Sequence, residues 1–484
     1  MSLDQPLHHC SAVDIAAAIK AKELSAREAL EHFVDRVDRL DGPINAVVTR
    51  DLERARTWAA AADEAAARGE DLGPLHGVPI TVKDSFSTAG LRTTSGAPEL
   101  SDHVPTEDAW PVAGLRRAGA VIWAKTNLPI YAGDMQSYNE VFGTTNNPWD
   151  LARTPGGSSG GSGAALTARF TPLELGSDIG GSIRLPSHMS GVVGHKPSYG
   201  IVPAHGQIPG PPGTLTQADL AVAGPMALNV GDLSVALDVM SGPDRWNTPA
   251  WRLELPAARQ SRLGRFRVAA WFDDASCALD PEVAAVLEGF VENLAGAGQP
   301  VDRGARPGFD LTKAATRFFA LLNAALAGGY SVAEIEQYAL AEGNHPVAET
   351  KRNTSMRHRQ WLSHNEGRLQ LRARFEQFFE SWDILLLPVM PCVAIHHDHG
   401  EPMAARVVTT EAGERPYWEL NRWMAPAGAC YLPATVIPVG IAAGSGLPVG
   451  VQIVAPYLHD RTALAFAAAA TEVVGPPPVP PGFD

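Results

Sequence analysis

Two stretches of this 484-residue chain combine glycine and serine in a way that can carry chemistry. Thr154 to Ala168 reads TPGGSSGGSGAALTA and holds no charge, and Gly176 to Arg184 reads GSDIGGSIR. Glycine accepts positive φ and has no Cβ, so successive N–H groups can converge into an anion cradle. The anion can be a phosphate or the oxyanion formed when a nucleophile attacks a carbonyl. Serines beside the cradle favour acyl transfer, because nucleophile and oxyanion hole must then be neighbours. Other readings of the same residues exist. A phosphate loop needs GxxxxGK[ST], but Lys196 follows His195 and no suitably placed glycine. Gly156-Gly157-Ser158-Ser159-Gly160 has the form GxSxG, yet a nucleophile elbow follows a buried strand, and Pro148 to Pro155 does not read as one. A Gly/Ser stretch alone is also compatible with a flexible loop.

Further motifs accompany these runs. Gly77-Val78-Pro79-Ile80-Thr81-Val82-Lys83-Asp84 lies upstream, and Phe142-Gly143-Thr144-Thr145-Asn146-Asn147-Pro148 lies between. Gly191-Val192-Val193-Gly194-His195-Lys196-Pro197-Ser198-Tyr199-Gly200 and Gly446-Leu447-Pro448-Val449-Gly450-Val451-Gln452 follow. In this order, across most of the chain, the motifs strongly resemble the amidase signature family of serine hydrolases. The resemblance implies an α/β amidase signature fold, with a large mixed, mostly parallel twisted β-sheet covered by helices on both faces. It implies a Ser–cis-Ser–Lys triad of Lys83, Ser158 and Ser182, and an oxyanion hole from the N–H groups of Ile179, Gly180, Gly181 and Ser182.

The chemistry is physically coherent. A serine hydroxyl is a weak nucleophile and needs a base. Lysine serves only when neutral, which burial achieves. Lys83 follows the apolar run Val78 to Val82, which is compatible with burial. Ser158 would relay a proton between Ser182 and Lys83. The implied activity is cleavage of carboxylic amides, acyl or aryl, into acid and amine through an acyl-enzyme on Ser182. Esters and carbamates use the same chemistry. Neither a metal nor an organic cofactor is required. The family also contains the amidase component of a tRNA-dependent aspartyl/glutamyl amidotransferase, its A subunit, which needs partner subunits and an ammonia tunnel. The stretch Gln207 to Thr214 departs from what that component is expected to carry.

Motif position makes Met135, Gln136, Tyr138, Gln207 and Ile208 candidates for the substrate pocket, with Phe318, Phe319 and Leu322 on a variable helical segment. Their largely apolar character favours acyl or aryl amides over small charged ones. Asp178 and Arg184 flank the nucleophile and read as an ion pair fixing the loop. Lys125 and Lys196 are the other lysines near motifs. Cys392 with His396, His397 and His399 has the residue types of a metal site, but reads more simply as a polar loop after a strand.

The elements that must position these groups are legible. Ser11 to Asp14 and Ser25 to Glu28 have capping-box spacing. Ala29, Leu30, Phe33, Val34, Val37 and Leu40 then recur at helical spacing, and an Ala-rich helix spans Asp51 to Arg68. Pro74 to Val82 holds a turn and a short apolar run, a buried strand is expected at Val121 to Ala124 after a helix over 112–118, and another strand at Arg267 to Trp271. Asp280-Pro281 starts a helix, 305–382 is mostly helical, and Ile384 to Leu387 returns to a strand. Helices alternating with short apolar strands argue for α/β. The expected organisation is an N-terminal helical region (1–70) packed on one catalytic domain (71–470), then a Pro-rich tail (471–484).

Composition sets the boundaries. Hydrophobic residues make up 45 % and charged residues 19 %, as in a globular chain. The net charge of −14 argues against general binding to nucleic acid or anionic membranes. The partner expected is a small-molecule amide, with a homodimer left open. Four separated cysteines and no CxxC pair support neither a disulfide scaffold nor a zinc finger. The start of the chain shows no signal peptide, so a cytoplasmic location is expected. Trp423 to Leu458 carries no Asp, Glu, Lys or Arg, which is long enough to span a bilayer by count. Five prolines and five glycines interrupt it, so Ala434 to Ile437 and Val449 to Val454 read as buried strands. The chain's 46 Gly and 39 Pro imply many tight turns.

Overall fold

The computed structural model describes residues 5–208 and 210–484; Met1 to Asp4, at the head of the segment read for a signal peptide, and Pro209 lie outside the described residues. The N-terminal region folds into three helices, α1 (Ala12–Lys20), α2 (Ala26–Leu40) and α3 (Leu52–Arg68). Ser11 caps α1 by accepting the Asp14 N–H, and Ser25 with Glu28 closes a full capping box on α2. The α2 stripe of Ala29, Leu30, Phe33, Val34 and Val37 is buried, and one apolar cluster runs from Cys10 through it to Ala470.

Eleven strands form one sheet. In chain order they are β1 (Val47–Arg50), β2 (Pro79–Lys83), β3 (Val121–Thr126), β4 (Leu173–Asp178), β5 (Val193–Lys196), β6 (Val222–Ala227), β7 (Val268–Ala270), β8 (Val301–Asp302), β9 (Ile384–Pro388), β10 (Ala434–Ile441) and β11 (Pro448–Val454). Their spatial order is β1-β3-β2-β4-β6-β5-β10-β11-β9-β7-β8. The sheet is mixed, with four parallel and six antiparallel ladders among the described residues. Parallel pairing joins β3-β2-β4 and β9-β7-β8, while the middle of the sheet is antiparallel. Local apolar runs identify strands buried on both faces but carry no information on the direction of a partner. That is why the sequence led to an expectation of mostly parallel pairing.

The uncharged stretch after Trp423 resolves into the β10–β11 hairpin, both strands largely buried. No helix among the described residues is long and apolar enough to cross a membrane. The 305–382 segment is helical over Leu311–Ala325, Val332–Tyr338, Pro346–Thr354 and His358–Ser381. Asp280 precedes the helix Pro281–Gly296, but its carboxylate makes no cap hydrogen bond. It accepts the Glu411 and Ala412 N–H groups and the Arg415 guanidinium instead.

Candidate active site

Lys83 ends β2, whose apolar run makes it a central strand with every residue buried. The TPGGSSGG run is a loop that winds into α4 (Gly160–Thr167). The GSDIGGS run is the end of β4 and the turn into α5 (Arg184–Ser190). The three predicted residues therefore come from a strand end, a loop before a helix, and a strand-to-helix turn.

These elements converge on the lysine. Lys83 Nζ lies 2.6 Å from Ser158 Oγ, 3.0 Å from Ser159 Oγ and 3.0 Å from Ser177 Oγ. The Gly157–Ser158 peptide bond is cis. Ser159 N–H donates to the Ser182 carbonyl at 3.2 Å, which ties the Ser158 loop to the turn carrying Ser182. No hydrogen bond joins Ser158 Oγ to Ser182 Oγ among the described residues. Such bonds are often loose without substrate and tighten in the complex. Exposure orders the three groups: Lys83 is 0 % exposed, Ser158 1 % and Ser182 8 %. Ser182 is thus the least enclosed of the three. Burial pushes the Lys83 amine down to about 7, against the opposing pull of the Asp178 and Glu174 carboxyls. An amine that is substantially neutral near neutral pH can accept a proton from Ser158.

The turn carrying Ser182 is held from inside. Asp178 Oδ1 accepts the Gly181 N–H at 2.9 Å, and Oδ2 accepts the Ile183 N–H at 3.2 Å. The expected Asp178–Arg184 pair forms, fully buried, and Arg184 also reaches the Met424 carbonyl and Gln452. The Gly181 N–H is consequently occupied. Among the described residues the N–H groups of Ile179, Gly180 and Ser182 have no acceptor. Gly181 has φ +111°, and a Cβ there would lie 2.8 Å from Met424 Cγ, so this turn requires glycine.

The predicted pocket residues divide. Phe319 lies half-buried on the helix Leu311–Ala325, one turn before Leu322. Leu322 is in contact distance of Gly180, its Cδ2 lying 3.5 Å from where a Gly180 Cβ would stand. The Met135 backbone packs against Gly157. Gln136 does not offer its amide to a ligand: Nε2 donates to the Asp398 carbonyl and Tyr417 Oη, and Oε1 accepts the Asp398 N–H. Tyr138 donates to Asp134 and stacks on His399. Both residues brace the loop behind Gly157. Gln207 pairs with Phe86 as an isolated bridge, and Ile208 packs with Ala97 and Leu100 in a separate apolar cluster. Lys125 donates to the Phe86 carbonyl and Thr88, and Lys196 to the Pro197 and Leu432 carbonyls, so neither meets the serines. No group of three or more His, Cys, Asp or Glu among the described residues is placed to hold a metal.

Sequence reasoning missed three contributors. Ser159 and Ser177 share the lysine with Ser158; their signal was their place inside the two Gly/Ser runs. Asn421 is nearly fully buried and donates to the Gly180 carbonyl at 2.9 Å from a segment 241 residues away, and no local pattern announces it.

A buried lysine thus lies against two adjacent serines, beside a turn whose N–H groups are partly unengaged. The chain belongs to the amidase family, the enzymes of carbon–nitrogen amide bonds, whose model matches residues 28–464. It is 32 % identical over 490 residues to the glutamyl-tRNA(Gln) amidotransferase A subunit of Moorella thermoacetica, covering 96 % of each chain. The crystal structure of an amidase superposes with a TM-score of 0.79 at 28 % identity, over 96 % of this chain and 100 % of that one. The substrate complex of 6-aminohexanoate cyclic dimer hydrolase superposes with a TM-score of 0.78 at 27 % identity, over 98 % and 99 %.

Proposed function

We propose that this chain is a serine-dependent amide hydrolase that forms an acyl-enzyme on Ser182 and releases acid and amine. The observation carrying this reading is the fully buried Lys83 amine 2.6 Å from Ser158 Oγ. Neutral Lys83 takes the Ser158 proton while Ser158 takes that of Ser182. Ser182 Oγ bonds to the amide carbon, and the carbonyl electron pair moves onto the oxygen, facing the free N–H groups of Ile179, Gly180 and Ser182. The C–N bond breaks as Ser158 gives a proton to the nitrogen and regains one from Lys83. Water then loses a proton through Ser158 to Lys83 and bonds to the acyl carbon; the bond to Ser182 Oγ breaks, and that oxygen regains a proton from Lys83 through Ser158, releasing the acid. Leu322, Met424 and Asn421, which border the Gly180–Gly181 turn, are apolar or neutral and suit an uncharged acyl or aryl amide.

A second reading rests on the relatives: the similarity to the glutamyl-tRNA(Gln) amidotransferase component extends over 96 % of the chain. In that role Ser182 would release ammonia from an amide donor for use in a complex with partner proteins. The two readings share the Ser182 chemistry and differ in what the isolated chain does. Activity of the purified chain alone on aryl or alkyl amides, abolished by Ser182→Ala, supports the first. Ammonia release that requires added partner proteins, with no turnover of simple amides, supports the second.

A further inference from the structure

Glu174 stands on β4, beside β2 and pointing to the same face as the lysine. In the β2–β4 ladder it is the partner of Thr81, and Thr81 and Lys83 project to one side of β2. Across β2, the partner of Lys83 on β3 is Thr126, whose hydroxyl lies 3.1 Å from Ser162 of α4. The Glu174 carboxyl is fully enclosed by this arrangement of strand and helix. The hydroxyls of Thr81, Ser162 and Thr126 are close enough to act on it, but among the described residues neither carboxyl oxygen has a well-aligned hydrogen-bond partner. A buried carboxyl left so poorly matched is costly, and its retention calls for a reason beyond packing.

We propose that Glu174 is a positioning residue for Lys83, acting from the neighbouring strand as the counter-charge to the ammonium that forms when the lysine accepts the serine proton. The inference rests on the reading of Lys83 as the base. During acylation the proton of Ser182 passes to Ser158 and that of Ser158 to Lys83, so a positive charge appears in a site closed to water. An ionised Glu174 stabilises that charge and makes Lys83 a stronger base; a neutral group in its place makes it a weaker one. The other charged groups facing the pair are few. Lys125 on β3 acts on Glu174, and Asp178 at the end of β4 acts on Lys83. Asp178 is engaged by Arg184, and Asp84, next to Lys83, is engaged by Thr94 and Lys125. From α4 the Ser162 hydroxyl reaches the carboxyl, and β6 presents Met226 opposite it. Burial pushes Glu174 up to about 7 and brings Lys83 down to about 7, so the protonation of each bears on that of the other.

The test uses a serine-directed fluorophosphonate, which needs no knowledge of the substrate. Ser182 Oγ bonds to phosphorus, fluoride leaves, and the serine proton passes through Ser158 to Lys83. The labelling rate is followed between about pH 5 and 9. In Glu174→Gln the acid limb is expected to move down by about one pH unit, with a slower plateau, because the lysine loses its proton more easily and takes one less avidly. Glu174→Asp, which keeps the charge at greater distance, is expected to fall between Glu174→Gln and the wild type, and it serves alone if Glu174→Gln does not fold. An acid limb at the wild-type pH in the folded variants overturns the inference. Undiminished labelling of Lys83→Ala overturns the underlying base reading, so the two failures are told apart.

Discussion

Arg184 and Asp178 form a bidentate pair, Nη2 to Oδ1 at 2.9 Å and Nε to Oδ2 at 3.0 Å, with both side chains fully buried. The same carboxylate accepts the Gly181 and Ile183 N–H groups, so the turn carrying Ser182 is shaped around one ionised side chain. Burial works to raise the Asp178 carboxyl, and Arg184, together with Lys196 and the Ile183 N–H, more than reverses this, holding it at about 2. Removing either partner leaves the other charge buried and unpaired, at a cost of about 3–5 kcal/mol. Asp178→Asn and Arg184→Met are each expected to lower the denaturant midpoint accordingly and to slow labelling of Ser182. A wild-type midpoint for both would show that the turn does not depend on the pair. Because the folded pKa is depressed, the carboxylate's contribution is fully present above about pH 4 and is lost as the pH falls toward 2.

Ser182→Ala is expected to fold normally, since its hydroxyl makes no hydrogen bond among the described residues. Its turnover of any amide that the wild type cleaves should fall by about a thousandfold or more. Mass spectrometry of the phosphonate-treated protein should find the adduct on Ser182 in the wild type and nowhere in the variant. An adduct on Ser158 would reverse the assignment of relay and nucleophile.

The pH dependence follows from Lys83. Burial places its amine at about 7, and the base must be neutral, so kcat/KM should rise with pH through that region and level off above it. The same shift bears on stability. The unfolded lysine binds its proton up to about 10.5, so between about pH 7 and 10.5 the unfolded state holds more protons and this group makes stability increase with pH. Lys83→Met should flatten both dependences while retaining the fold. A kcat/KM profile without an acid limb near 7 would rule out a neutral lysine as the base.

How far the sequence foretold this arrangement depends on distance along the chain. Ser11, Ser25 and Glu28 act on residues three positions away, and the helices they start lie where spacing placed them. Lys83, Ser158 and Ser182 stand out in the sequence through whole motifs, each carrying its own strand, loop or turn, and the fold brings Lys83 and Ser158 into contact. What stayed hidden is long-range. Gln136 has pocket-like placement in the sequence, yet its amide is consumed by Asp398, 262 residues on. Asn421 reaches Gly180 only because a segment near the end of the chain folds over the turn. The antiparallel middle of the sheet is likewise a matter of which strands meet, which periodicity does not encode.

Gly157 gives a sharper test of how tightly the loop carrying Ser158 is built. A Cβ at this position would stand 2.6 Å from the Met135 carbonyl carbon, 2.7 Å from the Asp134 oxygen and 2.7 Å from the Gln136 nitrogen. All three are backbone atoms, so no side-chain rotation relieves the clash. The loop cannot easily retreat either. Asp134 is gripped by Arg406 at 2.6 Å and by the Tyr417 hydroxyl, and Gln136 is bonded twice to Asp398. Gly157→Ala should therefore cost about 1–3 kcal/mol by overpacking, and it should depress labelling of Ser182 more than its stability loss explains, because the displaced atom adjoins Ser158. Gly289, mid-helix with nothing within 4 Å of its Cβ position, provides the contrast. Gly289→Ala should raise stability by about 0.5–1 kcal/mol through helix propensity and leave labelling unchanged. If both variants unfold and label like the wild type, the loop behind Gly157 yields more readily than its bracing implies.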